Sequence, residues 1–148
     1  MSDKNYTTSI TVNKSTEEVF DAINNVRGWW SGKFEGDTDK LGSEFVYKYG
    51  DLHRSVQKIT ELTPGKKVVW EVIESNLSFL SKKNEWDDTK IVFEIVKKGE
   101  ETEVIFTHIG LLPEIECYGA CSNAWGMLIK GNLKKYIETG KPQPDIFA

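Results

Sequence analysis

Apolar and polar positions alternate along most of this chain, then give way near the end to a helical period. Tyr6, Thr8, Ile10 and Val12 alternate with polar or small neighbours, the pattern of a half-buried strand. Ser15 and Glu18 have the spacing of a capping box and open a helix whose apolar positions are Val19, Ile23, Val26 and Trp30. Gly28 is expected to bend or split it before Trp29-Trp30, and Gly32, Gly36 and Asp37 mark a loop. Four more alternating sets follow: Phe45 to Tyr49, then His53 to Leu62, then Val68 to Val72, then Ile91 to Ile95. Gly50-Asp51 and Thr63-Pro64-Gly65-Lys66 read as turns between them. A last set, Val104, Phe106 and His108, follows a hairpin turn at Lys97 to Glu100. Six strand candidates on short turns imply an antiparallel sheet. The pattern decays only from Ser75 to Asp88, the longest polar connection, which is expected to cover the interior as a lid.

From Pro113 to Gly140 the period becomes helical, with Tyr118, Cys121, Trp125, Leu128, Ile129, Leu133 and Tyr136 on one face. Glu114 and Glu116 near its start and Lys130, Lys134 and Lys135 toward its end suit the helix dipole. Gly140 and Pro142 stop it, and Gln143 to Ala148 are expected to be a loose tail. A single helix of that length hides its apolar stripe only if a curved sheet wraps it. The expected fold is α+β: a curved antiparallel sheet around a long C-terminal helix, with two short helices after the first strand. No linker or repeat divides residues 1–148, so one domain is expected. Gly119, Gly126 and Gly131 each weaken the long helix by up to ~1 kcal/mol relative to Ala, which points to close approach of a strand or to space beside it.

Charge narrows the partners. The net charge is −4 and no basic stripe appears, so duplex nucleic acid is not expected. The polar start Met1 to Asn5 has no apolar leader and no stretch reaches membrane-span length, so neither membrane insertion nor secretion is expected and the cytoplasm is the expected location. Aromatic residues make up 11% of the chain and include five Trp, enough for a heavy core or an aromatic-lined pocket. The inward candidates for a cavity wall are Trp30, Tyr47, Tyr49, Trp70, Phe93, Phe106, His108, Cys121 and Trp125.

The order of elements and several segments resemble the START-like superfamily (SRPBCC, helix-grip). Within it, the chain is similar to bacterial homologues of the C-terminal domain of the heat-shock-protein-90 ATPase activator. The segments are Ser15 to Ala22, Trp29-Trp30, Ile59 to Trp70, Thr102 to Leu111, and Ser122 to Gly126 in the final helix. The resemblance implies the helix-grip fold, an interior cavity, and a small apolar or lipid-like ligand. It implies as alternatives a chaperone-associated, stress-response interaction module, or a cyclase-, hydrolase- or dehydratase-type enzyme. The eukaryotic activator carries a second, chaperone-engaging domain, for which these residues hold no counterpart.

The residues themselves show no P-loop, dinucleotide fingerprint, HExxH or nucleophile elbow. No catalytic residue, metal ligand set or cofactor is therefore assigned. His108 alternates with Val104 and Phe106 and points inward, either as a core histidine or as a pocket group that orients a ligand together with Tyr47. His53, after a turn and beside Arg54, is expected at the surface. Cys117 and Cys121, four apart, share a helix face with Cα atoms about 6 Å apart, and separate thiols are expected. Glu71, between Val69 and Ile73, needs a cationic neighbour or a proton. A monomer or weak homodimer is expected.

Overall fold

The computed structural model describes residues 5–143. Seven antiparallel strands form one sheet: β1 (Tyr6–Val12), β2 (Lys33–Glu35), β3 (Glu44–Tyr49), β4 (His53–Thr63), β5 (Lys67–Leu77), β6 (Lys90–Lys98) and β7 (Glu101–Ile109). Their spatial order is β1-β7-β6-β5-β4-β3-β2. Consecutive strands from β2 to β7 are hairpin neighbours, and β1 closes the far edge against β7. The concave face holds the core, and a C-terminal helical rod lies against it. The helix-grip α+β fold is thus the one the sequence implies.

The first helix, α1 (Thr16–Asn24), starts where its capping residues dictate. The Glu18 backbone N–H donates to Ser15 Oγ at 3.1 Å, and the Ser15 N–H donates to Glu18 Oε1 at 3.2 Å. It ends at Asn24, and a 3₁₀ turn, Val26–Gly28, leads to Trp29. The split therefore falls before Gly28. What Gly28 provides is clearance: a Cβ there would lie 2.5 Å from the Tyr136 ring of the C-terminal rod.

The sequence pattern missed β2 because Gly32 and Gly36, both at positive φ, bracket a strand of only three residues. Arg27 donates to the carbonyls of Phe34 and Gly36 along this edge strand, where a free row of acceptors would otherwise invite further pairing. β5 also runs on to Leu77, so the connection that follows it is shorter than the pattern suggested. Glu71 sits on the outer face opposite Lys58 and Lys90, the cationic neighbours its position asked for.

The C-terminal rod begins at Tyr118, later than the expected Pro113. Residues 113–117 form turns instead, closed by Ile115 N–H to Leu112 O and Tyr118 N–H to Ile115 O. The start is set from outside: the Glu85 carboxylate accepts the N–H groups of Glu116 and Cys117 at 3.1 and 3.0 Å. From there the rod is continuous through α2 (Tyr118–Gly126), a π-helical stretch (Met127–Leu133) and α3 (Lys134–Thr139). The wider π turns bring the adjacent pairs Leu128-Ile129 and Asn132-Leu133 inward together, and Asn132 Nδ2 donates to Trp29 O. Close strand approach does not explain the helix glycines: Gly119 and Gly131 face open space, and a Cβ at Gly126 would meet only Tyr6 Oη at 3.5 Å.

Gly140, at φ 72°, terminates α3 as expected. The Gln143 N–H is tied back to Gly28 O, and residues 144–148 of the expected tail lie outside the described residues. Among the described residues, no helix is long and apolar enough to cross a membrane.

Candidate functional site

The sheet and the rod do not meet everywhere. Where the ends of β3, β4 and β5 diverge from α2, an apolar cavity of about 270 Å³ remains. Each wall follows from a local feature already described. Trp30 comes from the segment after the 3₁₀ turn, and Tyr47 and Tyr49 from the inward positions of β3. His53 and Leu77 stand at facing ends of β4 and β5, directly opposite one another. Phe79 and Trp86 come from the 78–89 connection; Ala120, Cys121, Ala124, Trp125 and Leu128 come from the rod. Leu52 and Phe79 are exposed at the mouth.

The wall is aromatic and flat in places. Trp30 stacks on Tyr47 with centroids 4.4 Å apart, and Trp86 stacks on Trp125 at 5.9 Å. Of the residues expected at a cavity wall, Trp30, Tyr47, Tyr49, Cys121 and Trp125 stand there. Trp70, Phe93, Phe106 and His108 are fully buried behind it. Trp70, Phe93 and Phe106 form a chain of edge-to-face contacts at 5.1 Å that runs to Trp125, so they support the wall without forming it.

His108 is locked. The Trp125 indole N–H donates to His108 Nδ1 at 3.1 Å, so Nδ1 carries no hydrogen. The ring hydrogen then sits on Nε2 and is given to Thr89 Oγ1 at 2.9 Å, whose own hydroxyl donates to Trp86 O at 2.6 Å. Burial, with a smaller contribution from nearby His53, pushes the His108 pKa down to about 3. Both ring nitrogens are used within the protein. The residue therefore positions Trp125 and the Trp86 backbone and does not face a ligand.

His53 differs from the surface position expected for it. It is partly buried in the cavity wall, edge-on between Tyr47 at 4.9 Å and Trp86 at 4.6 Å, and loss of hydration holds its pKa well below the ordinary value. Tyr47 Oη donates to Ser31 O. The residues missing from the expected wall are chiefly His53, which opens β4 but was read as a surface position, and Phe79 and Trp86, which lie in the polar connection where the alternation lapses. A lone Trp in a polar connection was the available sign.

Cys117 and Cys121, expected as separate thiols, are paired as a disulfide across one helical turn, with Cα atoms 5.4 Å apart. No cluster of three or more His, Cys, Asp or Glu suited to a metal occurs among the described residues. The 78–89 connection is strapped to the turn that leads into the rod. Glu85 accepts the N–H groups of Glu116 and Cys117, and Glu116 in return accepts the Ser81 N–H at 2.9 Å.

The model of a known family, Activator of Hsp90 ATPase homolog 1-like protein, matches residues 13–138. The chain belongs to this family. Among solved structures, the Aha1 dimer from Colwellia psychrerythraea superposes with a TM-score of 0.74 at 24% identity, covering 93% of this chain and 98% of that one. DynU16, from the dynemicin biosynthetic locus, gives 0.68 at 16% identity over 95% of this chain and 49% of that one. CalU16 from Micromonospora echinospora gives 0.68 at 15% identity over 95% and 78%. These likenesses establish a shared fold. No protein with a curated description matches.

Proposed function

We propose that this member of the activator-homologue family binds a small, uncharged, apolar ligand in the cavity between its sheet and its C-terminal helix. One observation carries the proposal: a pocket of about 270 Å³, open at a mouth beside Leu52 and Phe79 and walled within by Trp30, Trp86 and Trp125, lies between the sheet and the rod. Apolar cavities of roughly 150 Å³ stay dry and take up benzene, so this one suits a bicyclic ring system or a short branched chain. Removal of the ligand's apolar surface from water drives binding at roughly 25 cal/mol per Å², against the cost of association. The wall holds no charged side chain, and its histidine stays neutral at pH 7, so a buried carboxylate would have no counter-charge.

Tetralin, a bicyclic hydrocarbon, is a suitable probe. Titration should quench tryptophan fluorescence saturably, and Ala124→Phe, which fills the space, should abolish the signal in a folded protein. Equal quenching in the filled variant would refute the proposal.

A second reading is supported by the family match and by the dimeric Aha1 neighbour: a module that engages a chaperone or a second copy of itself. Co-sedimentation of the purified chain with the host's Hsp90-type chaperone tests it; no complex and a monomeric mass would exclude it.

A further inference from the structure

The cavity reading leaves open what polar feature the ligand carries, and the hydrogen-bond arithmetic around His53 constrains it. Ser55, one strand step inward on β4, is fully buried. Its Oγ accepts from Gln57 Nε2 at 3.0 Å and lies 3.0 Å from His53 Nε2. A hydroxyl has one hydrogen to give, and a buried one left ungiven is costly. Among the described residues, the one acceptor bonded to Ser55 Oγ is His53 Nε2. If Nε2 carried the ring hydrogen, it would donate to Ser55, and the serine hydrogen would have nowhere to go. As placed, Gln57 gives one amide hydrogen to Ser55 and leaves Oε1 and the other amide hydrogen unpaired; turning the amide to accept the serine hydrogen would leave both amide hydrogens unpaired, so the present arrangement strands fewer buried donors. The balance puts a lone pair on His53 Nε2 and the hydrogen on Nδ1.

Nδ1 has no hydrogen-bond partner among the described residues and is not among the sealed polar atoms of the core, while His53 itself forms part of the cavity wall. The two histidines thus hold opposite tautomers for the same reason. Each is set by a neighbour with a fixed hydrogen: the Trp125 indole at His108 and the Ser55 hydroxyl at His53. His108 spends its remaining hydrogen inside the protein, on Thr89, and His53 keeps one to give.

We propose that His53 presents its Nδ1–H to the cavity and selects uncharged, mainly apolar ligands that bear an acceptor oxygen, such as a cyclic ketone, over the corresponding hydrocarbons. The proposal rests on the cavity reading above and narrows its ligand class. Ser55 and Gln57 act as positioning residues, because they hold the tautomer that leaves the donor on the cavity side.

Two measurements test it. The first needs no ligand: long-range ¹H–¹⁵N NMR of the imidazole rings at pH 7 should show His53 protonated at Nδ1 and His108 at Nε2. Protonation of His53 at Nε2 would overturn the assignment. The second compares 1-tetralone with tetralin, which share a bicyclic frame and differ by the carbonyl. The wild-type protein should bind 1-tetralone about tenfold more tightly, the scale of one hydrogen bond. His53→Phe should bring the two within about twofold while still binding tetralin. His53→Asn, which keeps a side-chain N–H donor at a similar reach, should restore part of the preference. If both probes bind the wild type equally, or if His53→Phe weakens both alike, the donor role is wrong and the cavity reading stands. If neither probe binds, the cavity reading itself fails.

Discussion

Lowering the pH from 7 to 5 should destabilise this protein through His108 before most carboxylates titrate. The ring is fully buried, and both nitrogens are engaged in a way that only the neutral form satisfies, because the Trp125 indole donates to Nδ1. Its folded-state pKa is about 3 against an ordinary value of 6.5. Above pH 6.5 both folded and unfolded chains hold the ring neutral, and the contribution is fully present. Between 6.5 and 3 the unfolded chain takes up the proton and the folded chain does not, so stability falls as pH falls. Each pH unit in that window is worth about 1.4 kcal/mol, which gives about 2 kcal/mol at pH 5 and about 4 kcal/mol by pH 3, where the folded ring is half protonated. His53 adds a smaller term of the same sign, since part of its ring still reaches solvent. The assay is urea unfolding followed by tryptophan fluorescence at pH 7, 6 and 5, for the wild type and for His108→Gln. The variant should be less stable at pH 7 by roughly 1–3 kcal/mol, because the Trp125 and Thr89 partners are disturbed. Between pH 7 and 5 it should lose about 2 kcal/mol less than the wild type. His53 is present in both proteins, so its term cancels in the comparison. Parallel pH profiles would refute the reasoning.

Other perturbations have defined outcomes. Ser15→Ala removes one side of the capping box and should lower stability by about 1 kcal/mol in urea unfolding. Gly28→Ala places a methyl 2.5 Å from the Tyr136 ring, so it should cost about 1–3 kcal/mol and lower the thermal midpoint. Glu85→Ala leaves the N–H groups of Glu116 and Cys117 without their carboxylate and cuts one of the two ties between the 78–89 connection and the turn that leads into the rod. Stopped-flow displacement of tetralin from this variant should show faster release than from the wild type, with little change at Asp51→Ala.

Strand positions were legible because over most of the sheet one face is buried and the other is wet, so the period of two survives in β1, β3, β4 and β7, while in β5 and β6 Val69 and Val92 are buried as well. The capping box was legible because its chemistry is local, three residues apart. The start of the rod was not. Its cap, Glu85, is 32 residues away from Cys117 in sequence, and no local pattern announces a tertiary carboxylate. The candidate site was half legible for a similar reason. Inward positions such as Tyr47 and Trp125 follow from periodicity, but whether an inward aromatic faces a void or another ring depends on how the strands splay from the helix. Trp70 and Trp30, stacked 5.8 Å apart, divide on that point alone: one packs into the core and the other lines the cavity. His53 looked exposed because it follows a turn. The 78–89 connection folds over it, and Trp86 from that connection buries one side of its ring.

The central claim is that the space between the sheet and α2 takes up a small apolar molecule. The most direct measurement is a ¹H–¹⁵N titration of the tryptophan indole and backbone amide signals with tetralin. Saturable shifts at Trp30, Trp86 and Trp125, sharing one dissociation constant and lost in Ala124→Phe, are the predicted result. No saturable shift, or shifts confined to outer-face residues such as Ile73 and Val96, would contradict it.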